Sequence, residues 1–348
     1  MVRPRRRVRG QVTAAGTSDR CGAQVPRIAN RLSAALALAL AVQTGAAWAQ
    51  AWPAKPVRIV VPTTPGGSAD TLTRVLATRM TDSLGQQIVV ENRAGSAAIV
   101  GTEAVARATP DGYTLLMAWG SHVINPGLYG KLPYDTLKDF TPIVQVAVQP
   151  LMVMVHPSLP AKTLQAFIAF AKKQPGRITY ATAGTGSGGH LAGELFASVA
   201  GFRWTPVPYK GIQPAMADLI GGHVDAATGT LVAGISHVRA GKLRGLAVTS
   251  LKRSSGAPDI PTMAESGLPG FEVYTSYYLL GPASTPRTVV DRMNAEVVKA
   301  LQHPEVKERL ARDGADGIGG TPEQLQAHLV SEIARWTKVI RQAGVKVD

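Results

Sequence analysis

Two stretches combine glycine with small polar side chains in a spacing that can seat an anion. One reads Thr63-Thr64-Pro65-Gly66-Gly67-Ser68-Ala69-Asp70, the other Ala183-Gly184-Thr185-Gly186-Ser187-Gly188-Gly189-His190. Each follows an apolar run, Val57–Val61 or Ile178–Ala181, and each leads into a helical pattern. Glycine has no Cβ, so backbone N–H groups can close on a ligand. A helix start adds unpaired donors and a partial positive charge. Such a loop seats phosphate or carboxylate. The plainer alternative, a tight turn folding strand onto helix, stays open for either loop alone. Two loops at matching places in two halves argue against it.

The second loop contains Gly-x-Gly-x-x-Gly at Gly184, Gly186 and Gly189. A dinucleotide fold also wants an acid at the end of the next strand, about 20 residues on, to hold a ribose. The next strand, Thr205–Tyr209, has no acid, holds two prolines and leads to Lys210. Prolines make it a poor central strand. Neither loop has the Gly-Lys-Ser/Thr of a phosphate-binding P-loop. A carboxylate seat, which needs only donors, fits better. No Gly-x-Ser-x-Gly elbow and no His-Glu-x-x-His occur, and no histidines pair at metal-ligand spacing, so no metal or cofactor is expected. His190, Ser187 and Asp70 lie at helix starts, where capping and ligand contact both remain open. Ser121-His122 follows a strand at its carboxyl end, where ligands bind in open α/β sheets. His303 and His328 lie in polar helical stretches and are expected to be solvated.

The elements that must position these loops alternate. A strand at Val57–Val61, a helix over 69–84, a strand at 87–91, a helix over 98–107 and a strand at 114–118 form a β-α-β-α-β series. That series argues for a parallel sheet covered on both faces. The pattern recurs with helices at 164–173, 191–200 and 214–221 and strands at 178–181, 205–209, 224–227 and 243–249. The long apolar stretch Ile143–Val155 reads as a crossing between halves, and Phe271–Leu280 as the return. The last third is mostly amphipathic helix.

The first 49 residues read as a secretory signal peptide. They hold an arginine-rich start, the 11-residue apolar run Leu32–Val42 and the small-x-small triplet Ala47-Trp48-Ala49, which places cleavage after Ala49. This leader holds eight of the 37 basic residues and one of the 23 acidic ones. The remaining 29 basic and 22 acidic side chains give a formal net charge of +7 rather than +14. They are scattered, without basic-aromatic interleaving, which argues against nucleic-acid binding. The one cysteine, Cys21, also lies in the leader, so the mature chain has no disulfide, thiolate metal site or cysteine nucleophile. A soluble periplasmic protein is expected.

The sequence resembles the Bug (TctC) family of extracytoplasmic solute receptors over nearly all of residues 52–348. The resemblance rests on WPAKPVRIVVPTTPGGSADTLTR, IVVENRAGSAAIVGTEAVARATPDGYTLLM, INPGLYGKLPYD, AGTGSGGHLAGELF, VPYKG, DLIGGHVD, HVRAGKLRGLAVTS and PDIPTMAESGLPGFE, in that order. It implies an α/β type II periplasmic-binding-protein fold, with two lobes joined by a two-stranded hinge. Lobe 1 is expected over 50–153 and 273–348, lobe 2 over 154–272. Carried over by position, the expected first-lobe contacts are Thr64, Pro65, Gly66, Gly67, Ser68, Asp70, Ser121 and His122. The second-lobe contacts are Ala183, Thr185, Gly186, Ser187 and His190, with Thr230 added. Where the family often shows a Phe-Asp-Asn-like triplet, this chain has Thr228-Gly229-Thr230, so no ligand is named by analogy. A tryptophan common near the return crossing is replaced by Tyr277 or Tyr278, for which strand packing is the alternative.

The resemblance implies a monomeric receptor without catalysis. It would bind a small carboxylate between its lobes and touch inner-membrane transporter subunits transiently. Two alternatives stand beside it. One is a receptor that signals without transport. The other is an exported hydrolase using Ser187 and His190, for which no nearby acid is evident.

Overall fold

The computed structural model describes residues 52–345. The expected signal peptide, its cleavage point and Cys21 lie outside the described residues. The elements, in chain order, are β1 (Val57–Val61), α1 (Ser68–Leu84), β2 (Ile88–Asn92), α2 (Ile99–Ala106), β3 (Thr114–Trp119), α3 (Ser121–Leu128) and β4 (Phe140–Val155). There follow α4 (Leu164–Lys173), β5 (Thr179–Thr182), α5 (Gly188–Ala200), β6 (Thr205–Pro208), α6 (Ile212–Ile220), β7 (Ala226–Thr230), α7 (Leu231–Arg239) and β8 (Arg244–Val248). The chain ends with β9 (Tyr274–Pro282), α8 (Arg287–Gln302), α9 (Pro304–Arg312), β10 (Asp316–Gly319) and α10 (Pro322–Ala343).

Along the sheet the order is β2-β1-β3-β9-β4-β7-β5-β6, with β8 and β10 also on β4. Strand β1 runs parallel to β2 and β3, and β5 parallel to β6 and β7. Ile59–Val61 of β1 and Leu115–Ala118 of β3 are buried on both faces, which is why they read as unbroken apolar runs. Pro206 and Pro208 sit in β6, the end strand of that order, where a missing donor costs least.

The 16-residue β4 belongs to both halves. Phe140–Pro150 pairs with β9, whereas Leu151–Val155 pairs with β7 and Met152–Val155 with β8. The returning chain crosses at the same level. Thr249 Oγ1 accepts from Leu151 N–H at 2.8 Å and donates to the Val273 carbonyl at 2.6 Å. Two α/β lobes therefore join through two adjacent strands, the type II periplasmic-binding-protein arrangement.

Helix α1 seats Leu72, Leu76 and Met80 in the first lobe's core. Helix α5 rests on an aromatic block, in which Tyr180 and Trp204 stack with centroids 4.0 Å apart and Phe202 meets Phe167 and Phe196 edge-on. Each glycine loop thus opens a helix that is fastened from below.

Four features depart from the sequence reading. Helix α7 starts directly after β7, because Thr230 ends one element and caps the next. Strand β10 has little strand propensity of its own, with two glycines in four residues, and exists through antiparallel pairing with β4. His328 is half-buried rather than solvated, because α10 packs on β4 and its Nε2 lies 3.2 Å from Tyr278 Oη. His303 is likewise half-buried, with an unpartnered Nδ1.

Candidate functional site

The first loop joins β1 to α1 and is held by a carboxylate behind it. Gly67 caps α1 with extended backbone and no side chain, so the N-cap side-chain bond is missing. Asp70, in the first turn, reaches back instead. Its Oδ2 accepts from Gly66 N–H at 2.9 Å, and its Oδ1 accepts from Arg74 Nε and Asn92 Nδ2, both at 3.0 Å. Asn92, at the end of β2, also donates to the Thr63 carbonyl. Burial by itself would push the Asp70 carboxyl up, but the bonds from Arg74, Gly66 and Asn92 outweigh it and hold the group below its ordinary value.

The second loop, between β5 and α5, is fastened by a neutral ring. Ser187 caps α5, its Oγ accepting from His190 N–H at 3.2 Å. His190 Nδ1 in turn accepts from Gly186 N–H at 2.9 Å. A nitrogen that accepts carries no proton, and burial pushes the His190 pKa down accordingly. Behind the ring, Tyr180 Oη donates to Glu194 Oε1 at 2.5 Å, and His190 Nε2 lies 3.9 Å from the same oxygen. In the hydrolase alternative His190 would turn a ring nitrogen to the Ser187 hydroxyl. Here Nδ1 is engaged by Gly186, and Ser187 meets the His190 backbone.

Two glycines in this loop are required, Gly189 by space and Gly186 chiefly by its backbone conformation. A Cβ on Gly189 would lie 2.3 Å from the Thr228 carbonyl oxygen of β7. Gly186 has φ +74°, and its Cβ would lie 2.2 Å from Leu128 Cδ1 of α3. A side chain at Gly186 therefore disturbs the loop itself and cannot report on ligand contact alone.

Between the loops lies a cavity of about 320 Å³, within the roughly 300–1,000 Å³ usual for small-molecule sites. Four helix N-termini reach its wall: α1 through Gly67–Ala69, α5 through Ser187–Gly189, α6 through Gly211 and Ile212, and α7 through Thr230. The charged residue on the wall is Lys210, and no aspartate or glutamate is there. Trp119 and Thr228 also line the cavity, and both Trp119 Nε1 and Thr228 Oγ1 are buried without a hydrogen-bond partner. Thr275 and Tyr277 close the wall from β9, with Tyr277 Oη donating to Gln149 Oε1 at 2.9 Å. Among the described residues no cluster of His, Asp and Glu could hold a metal ion.

Of the residues expected from sequence, Thr64, Gly67, Ser68, Ala183, Ser187 and Thr230 lie on this wall. Gly66 lines a smaller neighbouring cavity. Pro65, Asp70, Ser121, His122, Thr185, Gly186 and His190 are on neither wall. Asp70 and His190 fasten the loops from behind. His122 is buried against the edge of Phe140, with both ring nitrogens unpartnered, and burial pushes its pKa down to about 4. Sequence reasoning did not include Trp119, Lys210, Gly211, Ile212 or Thr275 in the site, and it singled out Thr228, Gly229 and Tyr277 only as departures from the family's pattern. Lys210-Gly211 carried a usable signal, a third glycine between a strand and a helix. Trp119 and Thr275 carried none, since only the sheet order places β3 beside β9.

Residues 72–345 match the family model described as "Tripartite tricarboxylate transporter family receptor", TctC. The chain belongs to the TctC family. Its relatives include Protein BugT of Bordetella pertussis, 40% identical over 301 residues, covering 86% of this chain and 92% of BugT. Among solved structures, an R. palustris protein with adipate superposes with a TM-score of 0.80 at 36% identity, covering 85% of this chain and 99% of that one. MatC from Rhodopseudomonas palustris, solved with bound malate, gives 0.75 at 32% identity, covering 83% and 100%. TctC proteins are periplasmic solute receptors, and the wall of donors described above is the part of this TctC protein suited to a solute. No helix among its described residues is long and apolar enough to cross a membrane.

Proposed function

We propose that this TctC protein captures a small carboxylate-bearing solute between its lobes for a tripartite tricarboxylate-type transporter. The observation that carries this reading is the wall itself, where four helix N-termini and Lys210 surround a cavity with no acidic side chain. A carboxylate entering there accepts bonds from N–H groups that helix geometry leaves unpaired. Bonds to a charged group are worth about 1.5–3 kcal/mol each. The relatives solved with adipate and malate hold carboxylates, which supports the same class here.

The lobes divide at 50–153 with 273–348 and at 154–272. Because the loops come from different lobes, an anion touching both favours the closed arrangement over the open one and shifts the population toward it. Residues 1–49 direct export and are removed near Ala49. The exported chain acts as a monomer that docks transiently on inner-membrane subunits. It performs no catalysis.

A thermal-shift and calorimetric screen against mono-, di- and tricarboxylates, with NAD and ATP beside them, tests the reading. A ligand that binds only the folded state raises the melting temperature by mass action. A rise with one class of acid and none with nucleotides is expected. Equal response to nucleotides, or none to any acid, would sink the proposal.

A further inference from the structure

Strand β4 changes lobes at Gln149 and Pro150, and two turns from opposite lobes meet beside that point. Strand β7 ends at Thr230, opposite Leu151, and β10 begins at Asp316, opposite Val148. Gly314, just before β10, belongs to the first lobe, because Leu310 and Ala315 near it pack in that lobe's core. Gly256 belongs to the second, because Ala257 and Ile260 pack in its core with Leu231. The two glycines meet backbone against backbone. A Cβ on Gly256 would lie 3.0 Å from Gly314 Cα and 3.1 Å from both Gly314 N and the Ala311 carbonyl oxygen. A Cβ on Gly314 would run into Leu231 Cδ2 and come within 3.0 Å of Ser254 Oγ.

Each turn is anchored in its own lobe. The Asp313 carbonyl accepts from Gln149 Nε2 at 2.6 Å, and Asp313 Oδ2 accepts from Arg309 Nε at 2.9 Å. The Gly256 carbonyl accepts from Arg239 Nη2 of α7 at 2.7 Å, and the Gly256 N–H donates to Ser254 Oγ at 3.3 Å. Anchored backbone resists compression as the rest of a packed interior does. Neither glycine lines the cavity between the loops or the smaller one beside it.

We propose that the Gly256–Gly314 contact is the stop that sets how far the lobes close, and that these two glycines are positioning residues for solute capture. With no side chain on either turn, the lobes approach far enough for both loops to wall one cavity. A side chain at Gly256 would hold them apart and remove population from the closed arrangement, which lowers apparent affinity without touching the solute. The inference rests on the lobe-closing reading above and requires no particular solute. Gly256 does not have a left-handed backbone, so a methyl group there acts through the contact alone.

Interlobe distances tell the two ideas apart. Cys21 is the only cysteine of the chain, so spin labels on the exported protein go to Thr78→Cys of α1 and Lys173→Cys of α4, both exposed and on opposite lobes. The distance is measured without solute and with adipate or malate, in wild type, Gly256→Ala and Gly256→Val. An acid should shorten it in wild type, and the acid-bound distance should lengthen in Gly256→Ala and further in Gly256→Val. Calorimetry with the same acid should show binding about tenfold weaker in Gly256→Ala. Shortening in wild type with the same endpoint in both variants would overturn the stop and leave the closing reading intact. Unchanged or tighter binding in the variants would do the same. No shortening in wild type with either acid would overturn both.

Discussion

The two glycine loops share a sequence signature and the task of presenting a helix N-terminus, yet they are fastened by opposite means. The first hangs on a buried negative charge, Asp70, which gathers a backbone amide, an arginine and an asparagine. The second hangs on a neutral imidazole, a serine cap and a glycine set against the β7 backbone. The first has room around it, since a Cβ on Gly66 would meet nothing within 4 Å. The second has almost none. The difference teaches that polar residues which look like ligand contacts in a line of sequence are here the fasteners. The groups left on the wall are mostly backbone amides and small hydroxyls.

The largest expected effect separates the loops by space. Gly189→Ala should cost about 3 kcal/mol, because the new methyl group must push α5 off β7. Gly66→Ala should cost only about 1 kcal/mol, for its left-handed φ of +82°. Urea unfolding of the two variants measures the gap, and equal costs would break the comparison.

Next comes the fastening itself. Asp70→Asn keeps one acceptor but loses the charge, and should cost about 2 kcal/mol, since hydrogen bonds to charged groups are the stronger ones. Ser187→Ala should cost about 1 kcal/mol, the usual worth of a helix cap. If Ser187→Ala proved the more damaging in the same unfolding measurement, the first loop would not depend on its carboxylate.

Lys210→Met bears on the cavity they face. Removing its charge should weaken carboxylate binding about tenfold by calorimetry, equivalent to about 1.4 kcal/mol. The wild-type affinity should fall with added salt while the variant's responds less. An unchanged affinity would leave the helix N-termini as the sole anion seat.

The smallest effect is a pH dependence confined to one loop. The His190 pKa is lowered on folding, so its contribution is fully present above the unfolded value near 6.5 and is lost as pH falls through the folded one. Protonating Nδ1 also removes the acceptor for Gly186. The Asp70 pKa is lowered too, so the stability it adds is present above about 3.9 and fades only below that. Between pH 7 and 5 the second loop should loosen and the first should not. Melting curves of His190→Gln should show a shallower acid-side decline than wild type. The remainder belongs to His122, pushed down to about 4, and to His328, whose pKa burial also lowers, both with the same sign. An identical decline in both proteins would remove His190 as the sensitive group.

Much of this was legible in the sequence because it depends on neighbours along the chain. Apolar runs of four to six residues followed by glycine mark strands running into helix starts. The element bounds at Val57–Val61 and Leu164–Lys173 agree to the residue, and the others shift by a few residues where caps and pairing decide the ends. Prolines in β6 announced an edge. Helix α7 escaped because no loop separates it from β7, and β10 because only its partner makes it a strand.

The sequence alone determined that two strand–glycine–helix units exist in series, because glycine, apolar runs and helix periodicity are local properties. It led to the expectation of an anion seat too, since unpaired amides at a helix start follow from helix geometry. Only the tertiary structure decided which way each polar side chain faces. One turn of backbone puts Ser187 on the cavity and His190 behind it, and Asp70 is drawn back by Asn92 of a different strand. It also brought Trp119, Lys210, Thr275 and Tyr277 to one wall, because the pairing of β3 with β9 and the docking of two lobes are contacts between distant residues.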